Sequence, residues 1–178
     1  MDRIIVAFEN PNLLTRVSEM LARCGYPPRF RCSSGAEVLR VTGDLAGAVV
    51  ICGYKLPDMT ADSLYVDLDE KAIVLVIASP AELDHCERDG LFRLPTPVNR
   101  GDLTGAMTML TQLADRAAQR QRVRRNDSEL ALVERAKGIL MDKNHFTEEQ
   151  AHRFLQKTSM NSGCKMSETA AAIIKHMN

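Results

Sequence analysis

The chain of 178 residues has no tryptophan and only three tyrosines and five phenylalanines, so aromatic side chains make up 4% of it. Its five cysteines (Cys24, Cys32, Cys52, Cys86, Cys164) are odd in number, scattered, and never form a CxxC pair. That excludes a disulfide framework and a thiolate zinc site, and it fits a reducing compartment. No metal is expected. No apolar run approaches the roughly 18–20 residues needed to span a bilayer, so a membrane is not an expected partner. The opening segment MDRIIVAFENPN has a short apolar stretch that stops at Glu9 and Pro11. It is not a signal peptide, and a cytoplasmic location is expected. Net charge is missing as well, since 23 Lys+Arg cancel 23 Asp+Glu. Nor does a Ser-His-Asp or Cys-His arrangement, a carboxylate pair or a phosphate-cradling loop stand out. Neither an enzyme nor a cofactor is expected.

What remains is an ordinary globular composition, 45% hydrophobic and 26% charged, in a chain long enough to bury about 70% of its unfolded surface. The charge is unevenly spread. Residues 1–100 carry 11 basic and 14 acidic side chains, residues 101–178 carry 12 and 9, and Arg116, Arg120, Arg122, Arg124 and Arg125 crowd into ten positions. A basic end joined to an acidic half points to a polyanion-facing regulator; the plainer reading is a solvated helix face.

Short apolar runs alternate with helical patterns along the first half. Ile4–Phe8, Phe30–Cys32, Ala46–Cys52, Ile73–Ala78 and Leu91–Leu94 read as strands. The third is almost continuously apolar, as a strand buried on both faces of a parallel sheet should be. Between them, Leu13, Leu14, Val17, Met20 and Leu21 form a stripe of period near 3.6 that Gly25 closes; Ser33-Ser34-Gly35 starts a second helix, and a third lies around Asp62–Asp69. Regular β-α alternation predicts an α/β flavodoxin-like, doubly wound parallel sheet of five strands, with its working crevice at the carboxyl ends of the strands.

GYKLPDM after the third strand, and Thr96-Pro97 after the fifth, give this half a resemblance to response-regulator receiver (CheY-like) domains. The resemblance implies an acidic metal-binding pair after strand one, a phosphorylated Asp about four residues before a Pro, a Thr or Ser after strand four, and a Lys before a Pro after strand five. This chain departs at nearly all of these. It has Phe8 and Glu9 after strand one, Gly53 at the acceptor position, Ala78 or Ser79 at the hydroxyl position, and Thr96 before Pro97. One carboxylate is a poor magnesium site, and Gly53 offers no nucleophile. A pseudo-receiver without phosphorylation is expected. Asp58 and Asp62 are read as serving their loop and a helix N-terminus rather than as substitute acceptors.

From Asn99 the pattern changes. Leu103, Met107, Leu110, Ala114, Ala117, Gln121 and Arg124 recur at alternating spacings of four and three, and no Gly or Pro falls between Gly105 and Gly138. That heptad rhythm predicts one helix of about 35–40 residues and a coiled-coil homodimer. The plainer reading is that Leu103–Ala117 packs on the sheet as the last helix of the α/β domain, and both can hold in succession along one helix. The polar stretch Gln119–Asp127 is a candidate hinge. The expected domains are therefore 1–98, with a last helix continuing to about 118, a helical linker 99–127, and a helical module 128–178.

That module reads as three helices. The first carries Leu130, Leu132, Val133, Ala136, Ile139 and Leu140 and ends near Lys143-Asn144. The second opens on Thr147 with Gln150 three residues on, a capping box, flanked by Phe146 and Ala151 as a staple. Its inner stripe is Ala151, Phe154, Leu155 and Thr158, and Asn161-Ser162-Gly163 ends it. The third starts at Ser167 and buries Ala170, Ala171 and Ile174. ERAKGILM (134–141), TEEQAH (147–152), Phe154-Leu155, Lys165-Met166 and TAAAII (169–174) resemble the ANTAR domain of bacterial transcription antiterminators. The resemblance implies a dimer that binds tandem stem-loops in leader mRNA and blocks the terminator hairpin, with a sensor protein as a further partner of the receiver-like half.

Candidate RNA contacts are Arg135, Lys137, Gly138, Asn161, Ser162 and Lys165. In this reading Lys137 meets a phosphate beside the small Ala136/Gly138 surface, and Arg122, Arg124 and Arg125 add non-specific attraction. Phe146, Phe154 and Met141 are placed in the core, and His145 and His152 have no metal role. The competing readings are a DNA-binding regulator using a helix-turn-helix-like bundle and a protein-interaction module.

Overall fold

The computed structural model describes residues 3–43 and 45–177. The chain divides into two compact units, Met1–Gln119 and Arg120–Asn178.

Unit 1 is a five-stranded parallel sheet in the order β2-β1-β3-β4-β5, built from β1 (Ile4–Ala7), β2 (Phe30–Cys32), β3 (Ala48–Cys52), β4 (Ala72–Ala78) and β5 (Phe92–Pro95). The crossovers are α1 (Pro11–Arg23), α2 (Gly35–Thr42), α3 (Ala61–Leu68) and a single turn, α4 (Pro80–Leu83). The period-two side-chain alternation of strands splits the apolar runs between two cores. Ile5, Ala7, Val50, Cys52, Val74 and Val76 face Val38, Leu64, Leu68 and Leu83. Ile4, Val6, Val49, Ile51, Leu75 and Ile77 face Leu21 of α1 and Leu103, Met107, Leu110 and Ala114 of α5 (Arg100–Asn144).

Side chains start each helix. Asn10 caps α1 and Ser34 caps α2, while Thr60 and Ser79 cap α3 and α4 through their hydroxyls, each supplying an acceptor to an orphan N–H. β3 starts at Ala48 rather than Ala46 because Gly47 is left-handed (φ 67°) where the chain passes α5. A Cβ there would lie 2.3 Å from the Ala114 carbonyl oxygen. Burial pushes the Cys52 thiol up to about 12 and the Cys32 thiol up to about 11, so both are packing groups rather than nucleophiles.

α5 is 45 residues long and continuous across the division, with no break over 119–127. The hinge expected there is absent: Gly and Pro are missing, so nothing interrupts the i→i−4 ladder. Its first four heptad positions, Leu103, Met107, Leu110 and Ala114, are buried against the sheet. The heptad rhythm therefore records packing on unit 1, which consumes the apolar part of the stripe proposed for a coiled coil.

Unit 2 comprises the remainder of α5 with α6 (Glu148–Ser162) and α7 (Met166–Met177). Its core is Ala136, Leu140, Ala151, Leu155 and Ala170, with Leu132, Val133, Phe146, Met166, Ile173 and Ile174 packed around it. The expected capping box is present, Gln150 N–H donating to Thr147 Oγ1 and Thr147 N–H to Gln150 Oε1. Gly163 closes α6 in the left-handed region (φ 66°), and His145 (φ 53°), rather than Asn144, makes the turn after α5. Several residues expected inside lie outside. Leu13 of unit 1 is exposed, and in unit 2 so are Leu130, Met141, Phe154 and Ala171. Each sits about one residue off the stripe that packs, and 100° of helical rotation is enough to expose it. No helix is long and apolar enough to cross a membrane among the described residues.

Candidate nucleic-acid interface

At the carboxyl ends of the strands, Phe8, Glu9, Gly53, Ala78, Ser79, Thr96 and Pro97 converge on one cleft of about 1150 Å³. The fold thus brings together the positions that the receiver resemblance singled out, but with different chemistry. Phe8 is buried, and a Cβ on Gly53 would stand 3.3 Å from its Cδ1. The Ser79 hydroxyl donates to Glu82 Oε2 at 2.6 Å, which holds the Glu82 carboxyl below its usual range. Asp58 accepts from the Ala36 and Gly35 N–H groups at 2.8 Å each, and these bonds lower its carboxyl. It serves the N-terminus of α2. Asp62 accepts from the Glu87 and Arg88 N–H groups at 3.0 Å. No group of three or more His, Cys, Asp or Glu that could hold a metal occurs among the described residues.

In unit 2 the six candidate contacts fall at two places. On α5, Arg135 is exposed and Gly138 is half-buried, with open space where a Cβ would go. Lys137 lies between them in sequence but is not a free cation. Its side chain is 9% exposed, and Nζ donates to Glu148 Oε1 at 2.8 Å and Glu134 Oε1 at 2.9 Å. These carboxylates, Glu148 foremost, hold the ammonium above its usual range, and Lys137 in turn lowers the Glu148 carboxyl. The reading of Lys137 as a phosphate contact is corrected: its charge is spent joining α5 to the first turn of α6. Ala136 is fully buried, so it belongs to the core rather than to an open small-residue surface.

The second place is the α6–α7 junction. Asn161 and Ser162 are exposed, but the Ser162 hydroxyl donates back to the Thr158 carbonyl at 2.9 Å. Lys165 lies 3.9 Å from Glu129 of α5, which also accepts from Arg125 Nε at 3.1 Å. Glu129 and Lys137 are eight residues apart on α5, about 12 Å along the axis. Arg120, Arg122, Arg124 and Arg135 are exposed and have no ion pair among the described residues.

Sequence reasoning missed the tether Arg125–Glu129–Lys165, which needs tertiary structure to see. It also missed the exposure of Phe154, which was legible. Ala151, Leu155 and Ser159 are the buried residues of α6, and their i, i+4, i+8 spacing leaves Phe154 at the edge of the face.

The ANTAR domain family model matches residues 121–174. Unit 1 is similar in fold to a response regulator receiver protein from Sinorhizobium medicae (16% identity, TM-score 0.53, covering 64% of this chain and 96% of that one). It is also similar to a response regulator receiver domain protein from Clostridium thermocellum (21%, 0.53, 69% and 98%) and to the anti-anti-sigma factor PhyR from Bartonella quintana (13%, 0.54, 68% and 52%). No curated protein matches the sequence significantly. The chain therefore carries an ANTAR domain over residues 121–174, following an α/β domain of receiver fold.

Proposed function

We propose that this protein is an RNA-binding transcription antiterminator. Its ANTAR domain binds tandem stem-loops in leader mRNA, as a homodimer, and holds the message out of the terminator fold. The observation that carries this reading is the ANTAR match over residues 121–174, a family of RNA-binding antitermination modules. The exposed cations Arg120, Arg122, Arg124 and Arg135 in the same unit, without an ion pair among the described residues, supply attraction to phosphates. Two modules on adjacent hairpins gain affinity through effective concentration. The receiver-like domain takes its input from a partner protein in the cytoplasm and not from phosphoryl transfer, because Gly53 lacks a nucleophile and buried Phe8 crowds the position.

Binding of a two-hairpin leader RNA and of duplex DNA, compared at the same salt, tests the reading. The RNA is expected to bind tighter, with an affinity that falls as salt rises; equal affinity for both sinks it. For the other half, Gly53→Asp is expected to gain no mass on incubation with acetyl phosphate and Mg²⁺, since the new side chain would meet Phe8, with only one carboxylate, Glu9, following β1 and Thr96 rather than a lysine before Pro97. A stoichiometric mass gain on the native chain contradicts the silenced-receiver reading.

A further inference from the structure

α6 exposes an aromatic ring that its own core does not need. Ala151, Leu155 and Ser159 make the buried face, whereas Phe154 is 43% exposed. The ring is not mobile dressing, because it rests against Phe146 with centroids 5.8 Å apart and planes at 56°. Phe146 is itself packed on the unit 2 core. A tilted aromatic pair of this kind fixes one ring against the other and leaves a supported apolar plate at the surface.

The surroundings of the plate are polar in a specific way. Lys157 follows Phe154 at i+3 and Asn161 at i+7, so both lie along the same face of α6. Both are exposed, and Lys157 has no ion pair among the described residues. The neighbouring cation Arg153 is already occupied by Glu149 at 2.6 Å. A plate for a π-face, a free cation one turn on, and a carboxamide two turns on (about 10 Å along the axis) are the elements that recognise an unpaired nucleotide. The base stacks, the lysine meets its phosphate, and the amide, both donor and acceptor, reads the edge of the adjacent base. A paired stem offers no free base face, so the ligand is a nucleotide of a hairpin loop.

We infer that Phe154 is the stacking platform for an unpaired loop base, with Lys157 and Asn161 as its phosphate and edge partners. This rests on the RNA-binding reading above and names the element that distinguishes a loop from a stem.

The probe is the hairpin enriched by the full-length protein from a pool with a fixed stem and a randomised loop. Phe154→Leu keeps an apolar contact for Phe146 but removes the plate. It is expected to weaken binding about fivefold or more, the low end for one base–aromatic stack, with an unchanged melting curve, whereas Phe154→Trp keeps the affinity. An abasic substitution at the stacked loop position should weaken the native protein but add little to the loss in Phe154→Leu, because both remove one contact. Ultraviolet crosslinking of the native protein to the same hairpin should place the adduct on Phe154, which decides the matter even if the variant melts early. Unchanged affinity in Phe154→Leu, fully additive losses, or adducts only elsewhere overturn the platform while leaving RNA binding intact. Failure of the native protein to enrich any hairpin overturns both.

Discussion

Lys137 illustrates how a cation can be withdrawn from function by its neighbours. Flanked by Arg135 and Gly138, it has the placement of a phosphate contact, yet two carboxylates hold its ammonium and its side chain is 9% exposed. Its work is mechanical: it joins α5 to the start of α6. The pair titrates at both ends of the pH scale. The Glu148 carboxyl is lowered below its ordinary 4.5 in the folded chain. Its contribution is therefore full above that value and fades as pH falls through the folded one. Lys137 is raised above its ordinary 10.5, so its contribution is full below that value and is lost as pH rises through the folded one. Thermal melts of the native protein and Glu148→Gln should therefore differ at neutral pH, with the variant melting lower, and converge as the pH drops below about 4.5. A gap that persists or widens in acid would mean that the pair does not stabilise unit 2.

At the scale of elements, α5 carries two apolar patterns with different duties. Leu103, Met107, Leu110 and Ala114 are buried on the sheet. Val123 and Leu130, one heptad apart in unit 2, are 50% and 63% exposed. If pairing runs through α5, the second set is the one available to a partner copy. Leu110→Ala should destabilise unit 1 by roughly 2–5 kcal/mol, as large-to-small core changes do, and leave the sedimentation of folded protein unchanged. Leu130→Glu should leave unit 1 stable and shift sedimentation toward monomer; the reverse pattern would return the coiled-coil seam to Leu110. These two patterns also show what was legible in the sequence. The strands could be read because continuous apolar runs bounded by turn residues have few other uses, and the capping box at Thr147 because it is purely local. The heptad on α5 was visible but its partner was not, since a 4-3 spacing fits a sheet surface as well as a second helix. Lys137 was misplaced because its acceptor Glu148 is eleven residues away on another helix, and no spacing rule reports that.

At the scale of the whole molecule, the chain holds separate cores. The two cores of unit 1 share one sheet, so they stand or fall together, whereas the core of unit 2 draws only on residues after Arg120. The helix α5 runs through both units, and a helix transmits little stability to a core it does not help to build, because most helical stability comes from packing of its apolar face. Two thermal transitions are therefore expected by calorimetry. Leu75→Ala, which empties a buried site between the sheet and α5, should lower one of them. Leu155→Ala, in the centre of the three-helix core, should lower the other, each by about 2–5 kcal/mol of its own unit's stability. The assignment is checked by near-neutral additivity: the double variant should show both shifts unaltered, as distant sites without shared partners do. A single transition that both substitutions lower equally would mean that α5 couples the units into one cooperative body. An event on unit 1 would then reach unit 2 as a change in its stability.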